Sequence, residues 1–419
     1  MTVASASGDD SRNDRLAPLA IEVLAIGRRS WGEDWVPERR VVAPGRIELL
    51  GNHLDYNGGR VLAGAIDRVI LLLGAEGTAP DRIAVGFTDP DTDRHVQDEL
   101  TPSALRGWQR DAPPESPIDY VRGAIAALIE AGHEIRSSWR FAFGGNLPVG
   151  LGVSSSAALS VGLVMQLAEG ELDARDTILL AQAAENRAGV SSGTMDQAAS
   201  VAGGVIRYDA AAVSFERLDP DLGDRAFVVI SSGVVHRLGE SAYPVRVRET
   251  RGLLEIAKQE FGDDAPPNTA RLSSDQVSRL MDAGLLDDTL AGRARHVVSE
   301  GKRVDAGYDA LVAGDWATFG RLMSESGRSS ATDYDVSHPQ VEELVAEVNA
   351  VEGVLGARMM GGGGGGSVLA LVERDVTGRL EERVGAGYFA RHDLTDLPDR
   401  FLVCTFADGA ASERLNAAV

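Results

Sequence analysis

The chain has 419 residues, 44% of them hydrophobic and 25% charged, which is enough for two domains with ample core. Its formal net charge of −22 argues against a nucleic acid or an anionic membrane surface as partner. The single cysteine, Cys404, excludes an internal disulfide and fits a reducing compartment. Because no apolar run approaches the roughly 18 residues of a membrane span, we expect a cytoplasmic protein.

Helices and strands are predicted in an irregular order along the chain. Residues 1–15 are rich in Ser, Asp and Gly and are predicted to be disordered. Because strands and helices do not alternate strictly, the order favours an α+β fold. We place the boundary between an N-terminal domain (16–215) and a C-terminal domain (216–419) in a loop-rich stretch. Predicted strands cover residues 40–44, 61–73, 83–87, 139–143, 227–231, 367–372 and 401–406, and predicted helices cover residues 19–27, 120–131, 157–168, 174–188, 244–261 and 339–351.

The first candidate site lies in residues 44–59, a segment dense in turn-forming residues. A surface loop would explain the turn formers. It would not explain Arg46, His53 and Asp55, which stand among aliphatic residues. Polar groups placed in this way suggest a binding or catalytic role.

The second candidate site is the glycine- and serine-rich segment of residues 150–158, between a predicted strand and a predicted helix. Glycines allow close approach to an anion, and the free N–H groups of a first helical turn point at it. The segment therefore suggests a phosphate-binding turn. Taken alone, it is equally compatible with a serine that merely caps the helix.

Six consecutive glycines, Gly361 to Gly366, form a third unusual segment. A flexible linker would be longer and flanked by polar residues, whereas this run stands between apolar flanks. Six glycines carry a large entropic cost on folding. We therefore favour a close backbone approach to a ligand or to the other glycine-rich turn.

These segments together resemble the GHMP superfamily of small-molecule kinases, and within it the galactokinases. Residues 44–59 resemble the signature Pro-Gly-Arg-Val-Asn-Leu-Ile-Gly-Glu-His-Thr-Asp-Tyr-Asn-Gly-Gly, and residues 148–158 resemble the ATP-phosphate loop Pro-x-Gly-x-Gly-x-Ser-Ser-Ser-Ala. Five matches occur in order and at compatible spacings, which is far more specific than any one motif. Besides these two segments, three further motifs match. One is Ala184-Glu185 together with residues 193–197. The second is the segment with His236, Ser241, Tyr243, Arg246 and Arg248, and the third is Ala357-Arg358-Met359 followed by the glycine run.

The resemblance implies a two-domain GHMP kinase fold with the active site in the cleft between domains. It implies ATP and Mg²⁺ as cofactors and a monosaccharide substrate phosphorylated at its anomeric hydroxyl, galactose being favoured. We expect a monomer. Two alternatives remain: a 1-kinase for galacturonate, arabinose or an N-acetylhexosamine, and a non-catalytic sensor. A sensor is expected to have lost part of the phosphate loop or the catalytic pair, and this chain retains both.

The resemblance also assigns roles to individual residues. Arg46 and Asp196 are implied to be catalytic, and Ser156 and Glu185 are implied to bind the metal. The ATP phosphates are implied to lie on Gly150, Leu151, Gly152, Val153, Ser154, Ser155, Ser156 and Ala157. The sugar is implied to contact Glu48, Asn52, His53, Asp55, Gly193 and Tyr243.

Simpler structural roles compete with three of these assignments. Arg46 and Asp196 could form an ion pair that only supports the fold. Glu185 could be a solvated charge at the end of a helix. His53 could be a core histidine bonded to the backbone.

The chain departs from the family pattern at two positions four residues apart. Asn52 stands where galactokinases usually carry Glu, a contact of the sugar's C6 hydroxyl, and Glu48 stands where they usually carry Asn. The exchange either preserves the same pair of groups or changes the preference at C6. Leu54 and Met360 also replace usual threonines, and Gly364 replaces a usual Phe, which loosens the third motif.

Overall fold

A computed structural model describes residues 10–148, 150–234 and 243–415. Within these ranges, none of the helices combines the length and hydropathy required to cross a membrane. The helices are α1 (Asp10–Trp31), α2 (Pro117–Glu130), α3 (Ser155–Leu167), α4 (Ala174–Arg187), α5 (Met195–Ala202), α6 (Tyr243–Phe261), α7 (Ser274–Asp282), α8 (Asp288–Ala313), α9 (Trp316–Thr332), α10 (Pro339–Asn349) and α11 (Thr377–Val384). The strands are β1 (Arg39–Leu50), β2 (Arg60–Glu76), β3 (Arg82–Thr88), β4 (His95–Leu100), β5 (Ser138–Gly145), β6 (Val205–Asp209), β7 (Ser214–Leu218), β8 (Arg225–Ser231), β9 (Val354–Met360), β10 (Ser367–Glu373), β11 (Phe401–Cys404) and β12 (Ala411–Arg414).

The N-terminal half is built on a mostly antiparallel sheet with the order β12-β1-β2-β5-β3-β4, to which β6 and β7 are added beside β2. The strand β2 shows why both faces are covered. Leu71 and Leu73 pack under α1, whereas Leu72 between them belongs to the main core on the other face. This period of two is the expected pattern of a strand buried on both sides.

The C-terminal half has a second antiparallel sheet, with the order β11-β8-β10-β9. The helices α9 and α10 pack against β9. The turn between β9 and β10 is the six-glycine run, and it meets the turn that precedes α3. The two halves therefore meet at the two glycine-rich turns.

Most predicted elements are confirmed, with boundaries shifted by a few residues. The clearest error is the end of the first strand, predicted at residue 44: residues 44–50 continue β1 and are buried. The chain tolerates Pro44 and Gly45 there because the pairing with β2 shifts register between Pro44 and Arg46, and irregular positions do not need every ladder hydrogen bond. The elements that were not predicted are the helices α5, α8, α9 and α11 and the strands β4, β6, β7, β9 and β12.

The predicted chain divisions are also changed by the structure. Residues 10–15 form the beginning of α1, which packs on the first sheet from Leu16 onward. Residues 1–9 lie outside the described ranges. The proposed boundary at 215/216 falls inside β7. The C-terminal β12 pairs with β1, so no single cut separates the two sheets.

Candidate active site

A buried arginine–aspartate pair stands at the centre of the site. Arg46 is 5% exposed, and its Nε and Nη2 donate to the two carboxylate oxygens of Asp196, each at 2.8 Å. Its Nη1 donates to the Gly152 carbonyl oxygen at 2.6 Å. Burial alone would lower the pKa of Arg46, but attraction to Asp196 raises it. Arg46 therefore links the first motif, the phosphate turn and the start of α5.

Ser154 does not cap α3 in the way that the simpler interpretation required. Its backbone is left-handed, with φ of 58° and ψ of 53°, and its side chain makes no capping hydrogen bond. Its Oγ instead donates to Asp196 Oδ2 at 2.5 Å. Such a backbone is uncommon for a non-glycine residue and concentrates at functional sites.

The phosphate turn leaves space in front of the first turn of α3. Gly150 has φ of 80°, and a Cβ there would meet nothing within 4 Å. The turn is tied to β1 by a hydrogen bond from the Arg46 backbone N–H to the Val153 carbonyl, at 3.0 Å. The N-cap residue of α3, Ser154, makes no side-chain hydrogen bond to the N–H groups of the first turn. This arrangement suits an anionic ligand, and Val149 lies outside the described residues.

Glu185 is buried in α4 rather than solvated at a helix end, with 1% exposure. Gln197 and Ser192 donate to its carboxylate, and the Ser156 hydroxyl also bonds to it. Burial, with a further contribution from Asp196, raises the pKa of Glu185 to about 7. No cationic side chain of the described ranges pairs with it.

Ser156 and Glu185, the two predicted metal ligands, are thus brought together beside the phosphate turn. A buried carboxylate that lacks a counter-charge, next to a hydroxyl, fits Mg²⁺, which usually keeps several waters and binds one or two carboxylates plus substrate phosphates. Within the described part of the chain, no group of three or more His, Cys, Asp or Glu residues is arranged for a metal.

The six-glycine run is an ordered turn rather than a linker. Five of its residues have positive φ values, which side chains rarely adopt. Gly364 N–H donates to the Val336 carbonyl at 2.5 Å and Gly366 N–H to that of Val234 at 3.0 Å. The hydroxyl of Ser367 donates to the Leu151 carbonyl at 2.9 Å, so the turn packs directly on the phosphate turn.

Asp55, Gly193 and Tyr243 lie together on the sugar side of the Arg46–Asp196 pair. A Cβ at Gly193 would lie 1.6 Å from Asp55 Oδ2, so a side chain cannot be accommodated there. Tyr243 hydrogen-bonds to the Gly193 backbone. Burial, with Asp196 and Glu48 nearby, raises the pKa of Asp55 to about 7. His236 and Ser241 lie outside the described residues.

His53 bonds to a side chain, that of Tyr56, and also to the backbone of Gly362, so the alternative of a backbone-bonded histidine stays open. Its Nδ1 lies 2.9 Å from the Tyr56 hydroxyl, which in turn lies 2.8 Å from the Tyr334 hydroxyl. Burial lowers the pKa of His53 to about 3, so the imidazole is neutral at pH 7. Its ring packs beside Tyr243, with centroids 5.8 Å apart.

The exchanged pair, Glu48 and Asn52, is turned into the protein. The side-chain amide of Asn52 donates to Glu48 Oε1 at 3.0 Å and to the Gly361 carbonyl at 2.9 Å, and its oxygen accepts from Ser330 at 2.9 Å. Glu48 also accepts from Arg358 Nη2 at 2.7 Å. The three side chains of Glu48, Asn52 and Arg358 are almost completely buried.

This arrangement favours compensation over a changed sugar preference, because the exchanged carboxylate and amide bond to each other. It also changes what is expected of Glu48. Glu48 is 3% exposed, and its Oε1 accepts from both Arg358 and Asn52, so its position gives little support to the implied sugar contact.

The sequence did not single out Glu300 and His296 on α8, which bond to the backbone of the first motif. A signal was present: Glu300 falls on the apolar stripe of Val297, Val304 and Leu311, where a charge is unexpected. This signal in the sequence was overlooked because α8 was not predicted.

Three family models match the chain. They are the galactokinase galactose-binding signature over residues 28–76, the GHMP kinases N terminal domain over residues 119–204 and the GHMP kinases C terminal region over residues 308–389. The first contains the segment with Arg46, and the second contains both the phosphate turn and Asp196.

Similar proteins cover nearly the whole chain. A galactokinase of Chloroflexus aggregans is 36% identical over 93% of this chain and 96% of its own length. A galactokinase of Staphylococcus carnosus is 33% identical over 83% of this chain and 89% of its own. The crystal structure of Lactococcus lactis galactokinase complexed with galactose matches with a TM-score of 0.83 at 27% identity, covering 94% of this chain and 99% of that one. The chain therefore belongs to the galactokinase family of GHMP kinases and is a sugar kinase with the two-domain fold of that superfamily.

Proposed function

We propose that the protein transfers the γ-phosphoryl group of ATP to the anomeric hydroxyl of galactose, which yields galactose 1-phosphate and ADP. The observation that carries this proposal is the Arg46–Asp196 pair. It stands between the phosphate turn, through the Gly152 carbonyl, and the sugar-side residues Asp55 and Gly193. An acceptor hydroxyl next to Asp196 would face a phosphoryl group held at residues 150–157.

Phosphoryl transfer depends on alignment and charge stabilisation more than on covalent chemistry by the protein. Asp196 accepts two hydrogen bonds from Arg46 and one from Ser154, which fix the orientation of its carboxylate. It orients the sugar hydroxyl and accepts its proton late, while the oxygen bonds to phosphorus and the bond to ADP breaks. Arg46 stabilises the charge on the transferred group.

Ser156 and Glu185 would hold Mg²⁺, which would neutralise charge on the ATP phosphates. The backbone of residues 150–157 and the uncapped N-terminus of α3 would bind the phosphates themselves. Burial raises the pKa of Glu185 to about 7, and a bound cation would supply the counter-charge that this carboxylate lacks.

On the sugar side, we assign direct contacts to His53, Asp55, Gly193 and Tyr243. A carboxylate can accept from two vicinal hydroxyls, which suits Asp55. We assign Glu48 a supporting role instead, because it is enclosed by Arg358 and Asn52. Asn52 lies between this network and the glycine turn, where its amide hydrogens are already donated within the protein.

A coupled ADP-release assay across galactose, galacturonate, arabinose and N-acetylgalactosamine tests the proposal. The highest kcat/KM is expected with galactose. A higher value with another sugar would move the substrate assignment to that sugar. Sugar binding without turnover of any of the four would contradict the enzyme and favour the sensor.

A further inference from the structure

A buried carboxylate on α8 holds the backbone of the first motif from the other half of the molecule. Glu300 is 0% exposed, and its Oε1 accepts from the backbone N–H of Gly51 at 2.8 Å and of Asn52 at 3.3 Å. The same oxygen accepts from Ser326 at 2.7 Å, and Arg303 donates to its other oxygen at 2.6 Å. The carboxylate is thus fully paired and fixed in place.

One helical turn earlier, His296 holds the other side of the same residue. Its Nε2 lies 3.0 Å from the Asn52 carbonyl oxygen, so this nitrogen carries the proton and donates. Its Nδ1 lies 3.0 Å from the Ser329 hydroxyl oxygen. Both backbone polar groups of Asn52 are therefore bonded to α8.

The segment that these two residues hold has an unusual backbone. Gly51 has φ of 102° and His53 has φ of 62°, a conformation that is strained for a non-glycine residue and persists only when surrounding structure enforces it. Asp55 follows two residues later. The orientation of both implied sugar contacts therefore depends on the bonds made at Gly51 and Asn52.

We propose that Glu300 and His296 are positioning residues for the sugar. They fix the backbone of Gly51 and Asn52 from α8 and thereby hold His53 and Asp55 in the orientation that binds the sugar. Neither residue bonds to the phosphate turn, so their effect is on sugar affinity rather than on ATP. The inference rests on the proposed function, since its kinetic readout uses galactose.

The test compares Glu300→Gln, His296→Leu and His296→Gln with the unmodified protein. Glu300→Gln removes the charge that accepts both N–H groups, and its KM for galactose is expected to rise about tenfold, as for loss of a charged hydrogen bond. The KM for ATP is expected to change less than about twofold. His296→Leu should raise the KM for galactose about fivefold, and His296→Gln should recover most of this, because its amide can donate to the Asn52 carbonyl.

Glu347→Gln is the matched control. Glu347 is also a largely buried carboxylate that accepts from a backbone N–H, that of Tyr388 at 3.2 Å, and from an arginine, Arg391 at 2.5 Å. It lies on α10 and has no bond to the first motif. Loss of the Glu347 charge in Glu347→Gln should lower the melting temperature without raising the KM for galactose.

Hydrogen exchange of the Gly51 and Asn52 amides provides a readout that needs no substrate. The hydrogen-exchange rates of these two amides should be higher in Glu300→Gln than in the unmodified protein, and unchanged in Glu347→Gln. If Glu300→Gln does not fold, the two His296 variants alone test the proposed positioning role. An unchanged KM for galactose in His296→Leu, together with an unchanged exchange rate at Asn52, would overturn the proposal. If the unmodified protein does not phosphorylate galactose, the proposed function fails, and the exchange measurement still tests the positioning role.

Discussion

Burial acts in the same direction on three carboxylates near the site, but their charged neighbours give them different pKa values. Glu185 and Asp55 lie among neighbours that do not neutralise them fully, and burial raises the pKa of each to about 7. Burial alone would also raise the pKa of Glu300, but Arg303, His296 and Arg358 lower it to about 2. Glu300 is therefore suited to support structure, whereas Glu185 and Asp55 are suited to meet a ligand.

Asp196→Asn is expected to remove most turnover. The amide cannot accept the hydroxyl proton, so kcat should fall about a hundredfold or more, in the range of lost acid–base assistance. The KM for galactose should change less, because the sugar contacts of Asp55 and Gly193 remain. Initial rates with saturating ATP measure both values. A variant with near-normal kcat would contradict the assigned role of Asp196.

Glu185→Gln is expected to gain stability relative to the unmodified protein as the pH rises. The folded pKa of about 7 lies above the ordinary value of 4.5, so between these values the folded state binds more protons than the unfolded state, and the free energy of unfolding falls with rising pH. Glutamine does not titrate and avoids this loss.

Melting temperatures in metal-free buffer at about pH 5 and about pH 8 test this change, since the window is set by the two pKa values. The melting temperature of Glu185→Gln, relative to that of the unmodified protein, should be higher at about pH 8 than at about pH 5. Mg²⁺ with ADP should stabilise only the protein that retains Glu185. A variant that becomes relatively less stable at the higher pH would contradict the buried, unpaired state of Glu185.

At the scale of secondary-structure elements, the turn between β9 and β10 shows why glycine is required. A Cβ at Gly363 would lie 2.1 Å from the Val336 carbonyl oxygen, and its φ is 81°. A Cβ at Gly362 would meet only Tyr243, at 3.9 Å. Glycine is therefore required at position 363, whereas position 362 has room for a Cβ.

Gly363→Ala should destabilise the protein by about 2 kcal/mol or more and raise the KM for ATP, because the displaced turn packs on the phosphate turn. Gly362→Ala is the matched control and should change stability by about 0.5 kcal/mol or less. Chemical denaturation and ATP kinetics measure the two effects. Equal tolerance of both substitutions would contradict the close packing at Val336.

Helices and strands were predicted well where a single hydrophobic periodicity dominated the segment. The apolar residues 61–73 correctly indicated β2, and the amphipathic residues 120–131 indicated α2. Residues 44–50 were misjudged because turn formers at a register shift look like a loop until their partner strand is known. The helix α8 was missed because buried polar residues, such as His296 and Glu300, interrupt its apolar stripe.

The candidate site was predictable as a set of motifs but not as a network. Sequence spacing alone could not place Arg358 beside Glu48, because the two residues are 310 positions apart. The bond between Asn52 and Gly361 spans 309 positions. Pairings of this kind depend on how the two halves meet, which is a property of the folded chain.

At the scale of the whole molecule, the exchanged pair joins the two halves. Glu48 from β1 is the counter-charge of Arg358 from β9, and Asn52 links α9, through Ser330, to the glycine turn. Breaking a buried ion pair on one side typically costs about 3–5 kcal/mol. The pair is therefore expected to be sensitive to single changes.

Asn52→Glu should lower kcat/KM for galactose about tenfold or more, because it places a second carboxylate beside Glu48 and removes the donor to Gly361. Glu48→Asn alone should also be harmful, since it leaves Arg358 without its counter-charge. The double variant, which restores the usual family order, should recover most of the activity and melting temperature. Improved galactose turnover by Asn52→Glu alone would show instead that the exchange altered sugar recognition.

The position of the transferred phosphate tests the central claim most directly. Phosphorus and proton NMR of the product formed from galactose and ATP identify the carbon that bears the phosphate. The proposed function predicts phosphate on the anomeric oxygen, with its phosphorus coupled to the anomeric proton, and much slower formation of this product by Asp196→Asn. Phosphate on any other hydroxyl, or ADP released without a phosphorylated sugar, would contradict the proposed function.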